Sequence, residues 1–148
     1  MSTLLRNALA LVAGVVVGGA VNSALVALGP SLVPLPAGVD VRTAEGLSAA
    51  MPLFQPRHFV MPFLAHAVGT LAGALVAYLL AASHRARLAY AIGAVFLGGG
   101  VAASFMIPAP TWFVALDLVA AYLPMAWLAT LIGRRLTRGR ESAAHGAA

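Results

Sequence analysis

The sequence contains no cysteine and no lysine, and only four of its residues are acidic. Without cysteine, disulfides, thiolate metal sites, iron–sulfur clusters and dithiol redox centres are excluded. Charged residues make up 9% of the 148 residues and hydrophobic residues 61%, and the mean hydropathy is +0.95. A soluble domain carries about a quarter charged residues, so this composition excludes a soluble enzyme, a nucleic-acid-binding domain and a disordered chain. It predicts a small protein that crosses a lipid bilayer several times.

Four apolar runs are long enough to cross a bilayer, which takes about 20 residues. They cover residues 4–28, 59–82, 88–107 and 112–133. Because a backbone in lipid must form its own hydrogen bonds, each run is predicted to be a helix. We therefore expect an all-α fold with one transmembrane domain, residues 1–133, in which four helices form a bundle. Residues 134–148 are predicted to be a basic tail without regular structure. The first run exceeds the roughly 7–15 apolar residues of a signal peptide, so we expect it to be retained as a helix.

The net charge of +5 comes from nine arginines that lie between and after the apolar runs. Seven of them fall on one side of the predicted membrane, and only Arg42 and Arg57 fall on the other. Cytoplasmic segments are enriched in positive residues, so both termini are predicted to be cytoplasmic. The arginines predicted to contact lipid headgroups are Arg57, Arg134, Arg135 and Arg138. Since topology accounts for the positive charge, we expect no nucleic-acid partner. The arginine- and alanine-rich usage is typical of bacteria with GC-rich genomes, and it predicts the bacterial cytoplasmic (inner) membrane.

The first two runs are joined by a loop of about 30 residues, 29–58, which contains five prolines. A loop of this length is usually functional or disordered. Its prolines and its apolar residues favour an ordered cap on the outer ends of the helices. Within it, Thr43 is predicted to cap a short helix that ends before Pro52.

Three strongly polar side chains, Asn22, His66 and Asp117, lie inside the predicted spans. An ionisable group at membrane depth costs a few kcal/mol, so it faces the protein interior and usually has a partner. At 1.5 Å per residue, each of the three lies roughly 8–10 Å from the outer end of its helix. Three helices therefore place one polar group each in the same layer. We predict a shared polar site there, with Thr70 and Ser104 as further candidate ligand-binding residues.

Small residues share helix faces with the polar ones, at spacings of three, four or seven residues, and small residues mark close helix contacts in lipid. The residues predicted to form these contacts are Gly14, Gly18, Gly69, Gly73 and Gly100. Pro124 is predicted to kink the fourth helix, because it lacks an N–H group. On a regular helix Tyr122 falls about 140° away from Asp117, so no role is assigned to it.

Two interpretations of the polar cluster stay open. It either fixes the register of the helices, or it binds or passes a small solute, a proton or a cation. One histidine and one aspartate are too few ligands for a metal site, so neither a metal nor a cofactor is predicted. No catalytic residue is predicted either, although a membrane enzyme that acts on lipid with His66 as its base is a further hypothesis.

The alternative function is a structural or accessory subunit of a larger membrane complex. Besides the lipid bilayer, the expected partners are therefore further copies of this chain in a homo-oligomer, or the subunits of such a complex.

Two sequence blocks carry a resemblance to known proteins. They are residues 58–70 (HFVMPFLAHAVGT), and residues 106–113 (MIPAPTWF) followed by residues 117–127 (DLVAAYLPMAW). In these blocks the chain resembles a family of small bacterial four-helix integral membrane proteins with no established activity, over most of residues 10–130. The resemblance implies the topology and lends no function.

Overall fold

The computed structural model describes the backbone of residues 1–146 and the side chains of residues 1–139. The described chain is all helical and has no strand. Six α-helices follow in the order α1 Thr3–Leu32, α2 Ala44–Ala50, α3 Val60–Leu80, α4 Arg85–Met106, α5 Thr111–Ala120 and α6 Leu123–Gly146. Four segments are long and apolar enough to cross a membrane: α1, α3 with the turn before it, α4, and α5 with α6. The prediction of four such helices is confirmed.

The C-terminal end of α6 differs from the prediction. The helix was expected to end at residue 133 and to be followed by an irregular tail, but it continues to Gly146. Residues 134–146 contain no proline and include four arginines, which are good helix formers, and the helix continues through Gly139. Residues 147 and 148 of the predicted tail lie outside the described residues.

The fourth span is broken between α5 and α6, at Ala121 and Tyr122. Pro124 has no N–H group and its ring crowds the carbonyl four residues earlier, so a straight helix cannot pass through this point. The Ala121 N–H still donates to the Asp117 carbonyl at 2.9 Å, and the Ala126 N–H donates to the Tyr122 carbonyl at 2.9 Å. The predicted kink is therefore a short interruption, and it turns Tyr122 away from the direction that a regular helix would give it.

Helix α3 packs against α1, α4 and α6, and its contact with α1 depends on glycine. A methyl group on Gly14 would lie 2.7 Å from the Gly73 carbonyl oxygen, and one on Gly18 would lie 2.8 Å from the Gly69 carbonyl oxygen. These distances are shorter than any ordinary carbon–oxygen contact, so only glycine allows the two backbones to approach this closely.

The two ends of the helices differ in chemistry. At the arginine end, where α1 and α4 begin and α3 ends, Arg6 donates from Nε to the Leu80 carbonyl at 2.9 Å. The Asn7 carboxamide accepts from the Ala82 N–H at 2.9 Å and donates to the Ser83 hydroxyl at 3.0 Å. These bonds tie the start of α1 to the turn between α3 and α4.

The connector, residues 33–55, joins α1 to the short 3-10 turn Pro56–Phe59 that leads into α3, and its side of the molecule is called the connector end. The structure confirms the short helix predicted after Thr43: the Thr43 hydroxyl accepts from the Gly46 N–H at 3.0 Å, and α2 ends at Ala50. Arg42 donates to both carboxylate oxygens of Asp40, and these hydrogen bonds lower the pKa of the Asp40 carboxyl to about 2.

Candidate functional site

His66 and Asp117 form the centre of the site. His66 lies six residues into α3 and Asp117 six residues into α5, so both lie about 9 Å from the connector end of their helices. The Nδ1 atom of His66 is 2.9 Å from Oδ1 and 3.0 Å from Oδ2 of Asp117. The Asp117 side chain is buried, whereas that of His66 is 28% exposed. The buried carboxylate contacts only one side of the partly exposed imidazole, so the other side of the ring can make a further contact.

Tyr122 completes the cluster, and the sequence assigned it no role. Its hydroxyl donates to Oδ2 of Asp117 at 2.7 Å, and its ring stacks on His66 with 5.9 Å between the ring centroids. The ring lies directly on Gly100 of α4, where a β-carbon would overlap the tyrosine. The carboxylate therefore accepts hydrogen bonds from two elements at once, α3 and the break before α6.

This arrangement fixes how the imidazole can act. An ionised carboxylate only accepts hydrogen bonds, so with Asp117 ionised Nδ1 of His66 carries the proton that bonds to it. In the neutral ring the other nitrogen, Nε2, then holds a lone pair and acts as an acceptor or a base. Nε2 of His66 has no hydrogen-bond partner among the described residues, because the ring bonds to Asp117 through Nδ1. The cluster thus presents one directed acceptor.

A cavity of about 290 Å³ adjoins the cluster at the connector end. Its walls come from α1, the connector, α3, α4 and α5, and they are mainly apolar. The apolar lining includes Val26, Val33, Leu35, Val41, Leu47, Met51, Phe54, Phe59, Met61, Ile107, Phe113, Val114 and Leu118. His66, Asp117, Ser104 and His58 are the polar side chains among the residues that line it. The site is therefore a half-open, mainly apolar cavity with a few polar groups on its wall.

The other predicted site residues are not joined to the His66–Asp117 pair by hydrogen bonds. Asn22 packs against Gly69 at the contact between α1 and α3, and its Oδ1 atom is buried without a hydrogen-bond partner in the described chain. Thr70 is fully buried, one turn beyond His66, and its hydroxyl also has no partner there. Ser104 lines the cavity, but its hydroxyl donates to the Val101 carbonyl of its own helix at 2.7 Å.

The remaining sequence candidates act through packing or lie on the surface. Gly14, Gly18, Gly69 and Gly73 form the close contact between α1 and α3 described above, and Gly100 lies under Tyr122. Arg57, Arg134, Arg135 and Arg138 are exposed. No group of three metal-ligating side chains occurs within the described residues.

His58 is the second residue for which the structure adds something that the sequence does not reveal. Its position at the start of the second run, directly after Arg57, predicts a place at the membrane surface. The structure buries it to 6% exposure on the wall of the cavity. The turn Pro56–Phe59 folds its ring inward, where it packs on Phe54 with 5.2 Å between the ring centroids.

Comparisons of the chain with protein-family models, with curated proteins and with solved structures found no match. The resemblance to small bacterial four-helix membrane proteins therefore stays a prediction.

Proposed function

We propose that this chain is a membrane protein that binds a small, mainly apolar molecule carrying one hydrogen-bond donor. The molecule occupies the cavity at the connector end, and Nε2 of His66 accepts its hydrogen bond. The observation that carries this proposal is the chain of contacts from Tyr122 through Asp117 to His66, which ends on the wall of this mainly apolar, half-open cavity.

The cavity favours a neutral molecule over the other solutes that the sequence leaves open. Moving a charged group from water to an apolar site costs far more than moving a neutral one, and these walls offer a cation few oxygen ligands. A cavity of about 150 Å³ holds one benzene molecule, so 290 Å³ holds roughly twice that volume. This size suits a molecule of about a dozen non-hydrogen atoms.

The proposal is tested with two probes of the same shape, 4-butylphenol and butylbenzene, in lipid nanodiscs that contain the protein. The hydroxyl group bonds to His66, so the affinity ratio of 4-butylphenol to butylbenzene is expected to be about 3- to 10-fold larger in the wild type than in His66→Asn. Asparagine keeps a polar atom beside Asp117 but has nothing in place of Nε2. Equilibrium binding is measured by titration, with protein-free nanodiscs subtracted.

His84→Asn is the matched control, because it makes the same substitution at the opposite end of the helices. His84 is exposed and has a left-handed backbone with φ of 51°, a conformation that asparagine tolerates. It should retain the wild-type ratio. An equal ratio in wild type and His66→Asn, or no saturable binding of either probe, would contradict the proposal.

We further propose how the chain lies in the membrane: a four-helix bundle in the cytoplasmic membrane of a bacterium, with both termini inside and the proline-rich connector outside. Support comes from the charges, since Arg6, Arg85, Arg134, Arg135 and Arg138 lie toward the arginine end and an excess of arginine is typical of the cytoplasmic side. The exposed Arg42 and Arg57 lie at the connector end, where Asp40 pairs with the first of them.

A second candidate function, a subunit of a membrane assembly, is favoured by two glycines on α4. Gly98 and Gly99 are exposed, and a β-carbon on either would meet no atom within 4 Å. Exposed small residues on a membrane helix allow another helix to approach closely. This candidate predicts that native mass spectrometry of the protein released from nanodiscs detects a dimer or larger assembly, and that Gly98→Leu reduces it to monomer. A wild-type monomer would exclude self-association.

A further inference from the structure

The proton of the His58 ring is assigned by a backbone hydrogen bond. The Gln55 N–H group donates to Nδ1 of His58 at 2.8 Å. A backbone N–H group can only donate, so Nδ1 holds a lone pair. The ring proton is therefore on Nε2, and His58 offers a hydrogen-bond donor at that atom.

This donor is buried and unpaired. Nε2 of His58 has no hydrogen-bond partner in the described chain, and the residue as a whole is 6% exposed. A buried donor without a partner is destabilising, and native structures rarely retain one without a reason. His58 lines the cavity, but its Nε2 atom is buried from water-sized contact. A small rotation of the ring therefore has to bring this donor within reach of a bound molecule that carries an acceptor group.

His58 and His66 have opposite hydrogen-bonding characters. His58 is a donor at Nε2, and His66 is an acceptor at Nε2 because its Nδ1 proton bonds to Asp117. They are eight residues apart on one continuous helical stretch, so their backbones are separated by about 12 Å along the helix axis. The cavity wall thus holds a histidine with a buried donor nearer the connector and a histidine with an acceptor deeper among the helices, and most of the other wall residues are apolar.

We propose that His58 is a second binding residue of the cavity, and that the ligand is an elongated neutral molecule with a carbonyl-type acceptor at one end and a hydroxyl group at the other. The inference rests on the proposed function, because it concerns the same cavity and takes the hydroxyl group to bind His66. It adds a carbonyl-type acceptor at the other end of the ligand, and it makes the site selective for one orientation of the bound molecule.

The experiment adds a third probe, 4-(4-hydroxyphenyl)butan-2-one, which is 4-butylphenol with a ketone near the end of its chain. The affinity ratio of this ketone to 4-butylphenol is measured in nanodiscs for the wild type and for His58→Asn. Asparagine keeps an oxygen that accepts from the Gln55 N–H group, but it removes the Nε2 donor. The ratio is expected to be about fivefold larger in the wild type than in His58→Asn, the effect of one neutral hydrogen bond.

His58→Gln supplies the reverse control, because its amide nitrogen reaches the place of Nε2 while the bond to Gln55 is lost. It should retain most of the wild-type ratio, and it keeps the test valid if His58→Asn does not fold. An equal ratio in all three proteins overturns the assignment of His58.

The two proposals fail in different ways. If 4-butylphenol binding depends on His66 but the ketone adds nothing through His58, only the present inference is overturned. If neither probe binds above protein-free nanodiscs, the proposed function is overturned and this inference with it.

Discussion

Replacing Gly18 with leucine is expected to separate α1 from α3 and to lower the free energy of unfolding by about 3 kcal/mol, the upper range for overpacking a tight contact. The first side-chain carbon would already lie 2.8 Å from the Gly69 carbonyl oxygen and 2.8 Å from the Phe96 ring. A carbonyl oxygen in the middle of a helix cannot move aside without breaking hydrogen bonds, so the helices themselves must part. The measurement is unfolding in detergent micelles titrated with sodium dodecyl sulfate, followed by circular dichroism.

Gly19→Leu is the matched control, because it adds the same side chain to the next residue of the same helix. A β-carbon there meets nothing within 4 Å, so the variant should unfold within about 0.5 kcal/mol of the wild type. Similar destabilisation by the two substitutions would mean that leucine harms α1 through its own helix, and that the contact between α1 and α3 does not require glycine.

The four helices that are long and apolar enough to cross a membrane could be predicted from the sequence, because hydropathy depends only on local composition. The pairing of His66 with Asp117 was also accessible, since equal depth on two helices follows from counting residues at a fixed rise. Both predictions need only the regular geometry of a helix. They fail wherever that geometry is interrupted.

Tyr122 shows such a failure. Its direction was derived from a helix that runs unbroken through the fourth span, whereas Ala121 and Tyr122 lie between α5 and α6. The break reverses the conclusion, because the hydroxyl donates to Asp117. The available signal was Pro124, which forbids a straight helix just before itself, together with a tyrosine hydroxyl that needs a partner at this depth.

The predicted placements of Asn22 and His58 are incorrect for a different reason, which is tertiary packing. Asn22 has the predicted depth, but the glycine contact between α1 and α3 holds its side chain against Gly69. His58 lies beside an exposed arginine in the sequence, and only the turn Pro56–Phe59 and the ring of Phe54 bring it inside. No single stretch of the sequence indicates the cavity, because its walls come from five separate segments.

Replacing Asp117 with alanine is expected to lower the free energy of unfolding by about 2 kcal/mol, because it removes the acceptor for two hydrogen bonds of roughly 1 kcal/mol each. The Tyr122 hydroxyl and the His66 Nδ1–H group both lose their partner, and Tyr122 is 2% exposed, so water does not replace it. Tyr122→Phe removes only one of these bonds and should cost about half as much. The same detergent titration measures both, and equal losses would mean that the His66 bond adds nothing to stability.

Asp117→Asn separates the role of the carboxylate in folding from its role in binding. Asparagine has the same shape, and its oxygen can accept from the Tyr122 hydroxyl while its NH₂ group donates to Nδ1 of His66. The proton of the neutral imidazole then moves to Nε2, so the acceptor in the cavity becomes a donor. We expect this variant to be more stable than Asp117→Ala. We also expect the affinity ratio of butyrophenone, which has a carbonyl and no hydroxyl group, to butylbenzene to rise about fivefold over the wild-type ratio. If the ratio is unchanged while the fold is retained, Asp117 does not set the proton of His66, and the carboxylate serves only to hold the helices together.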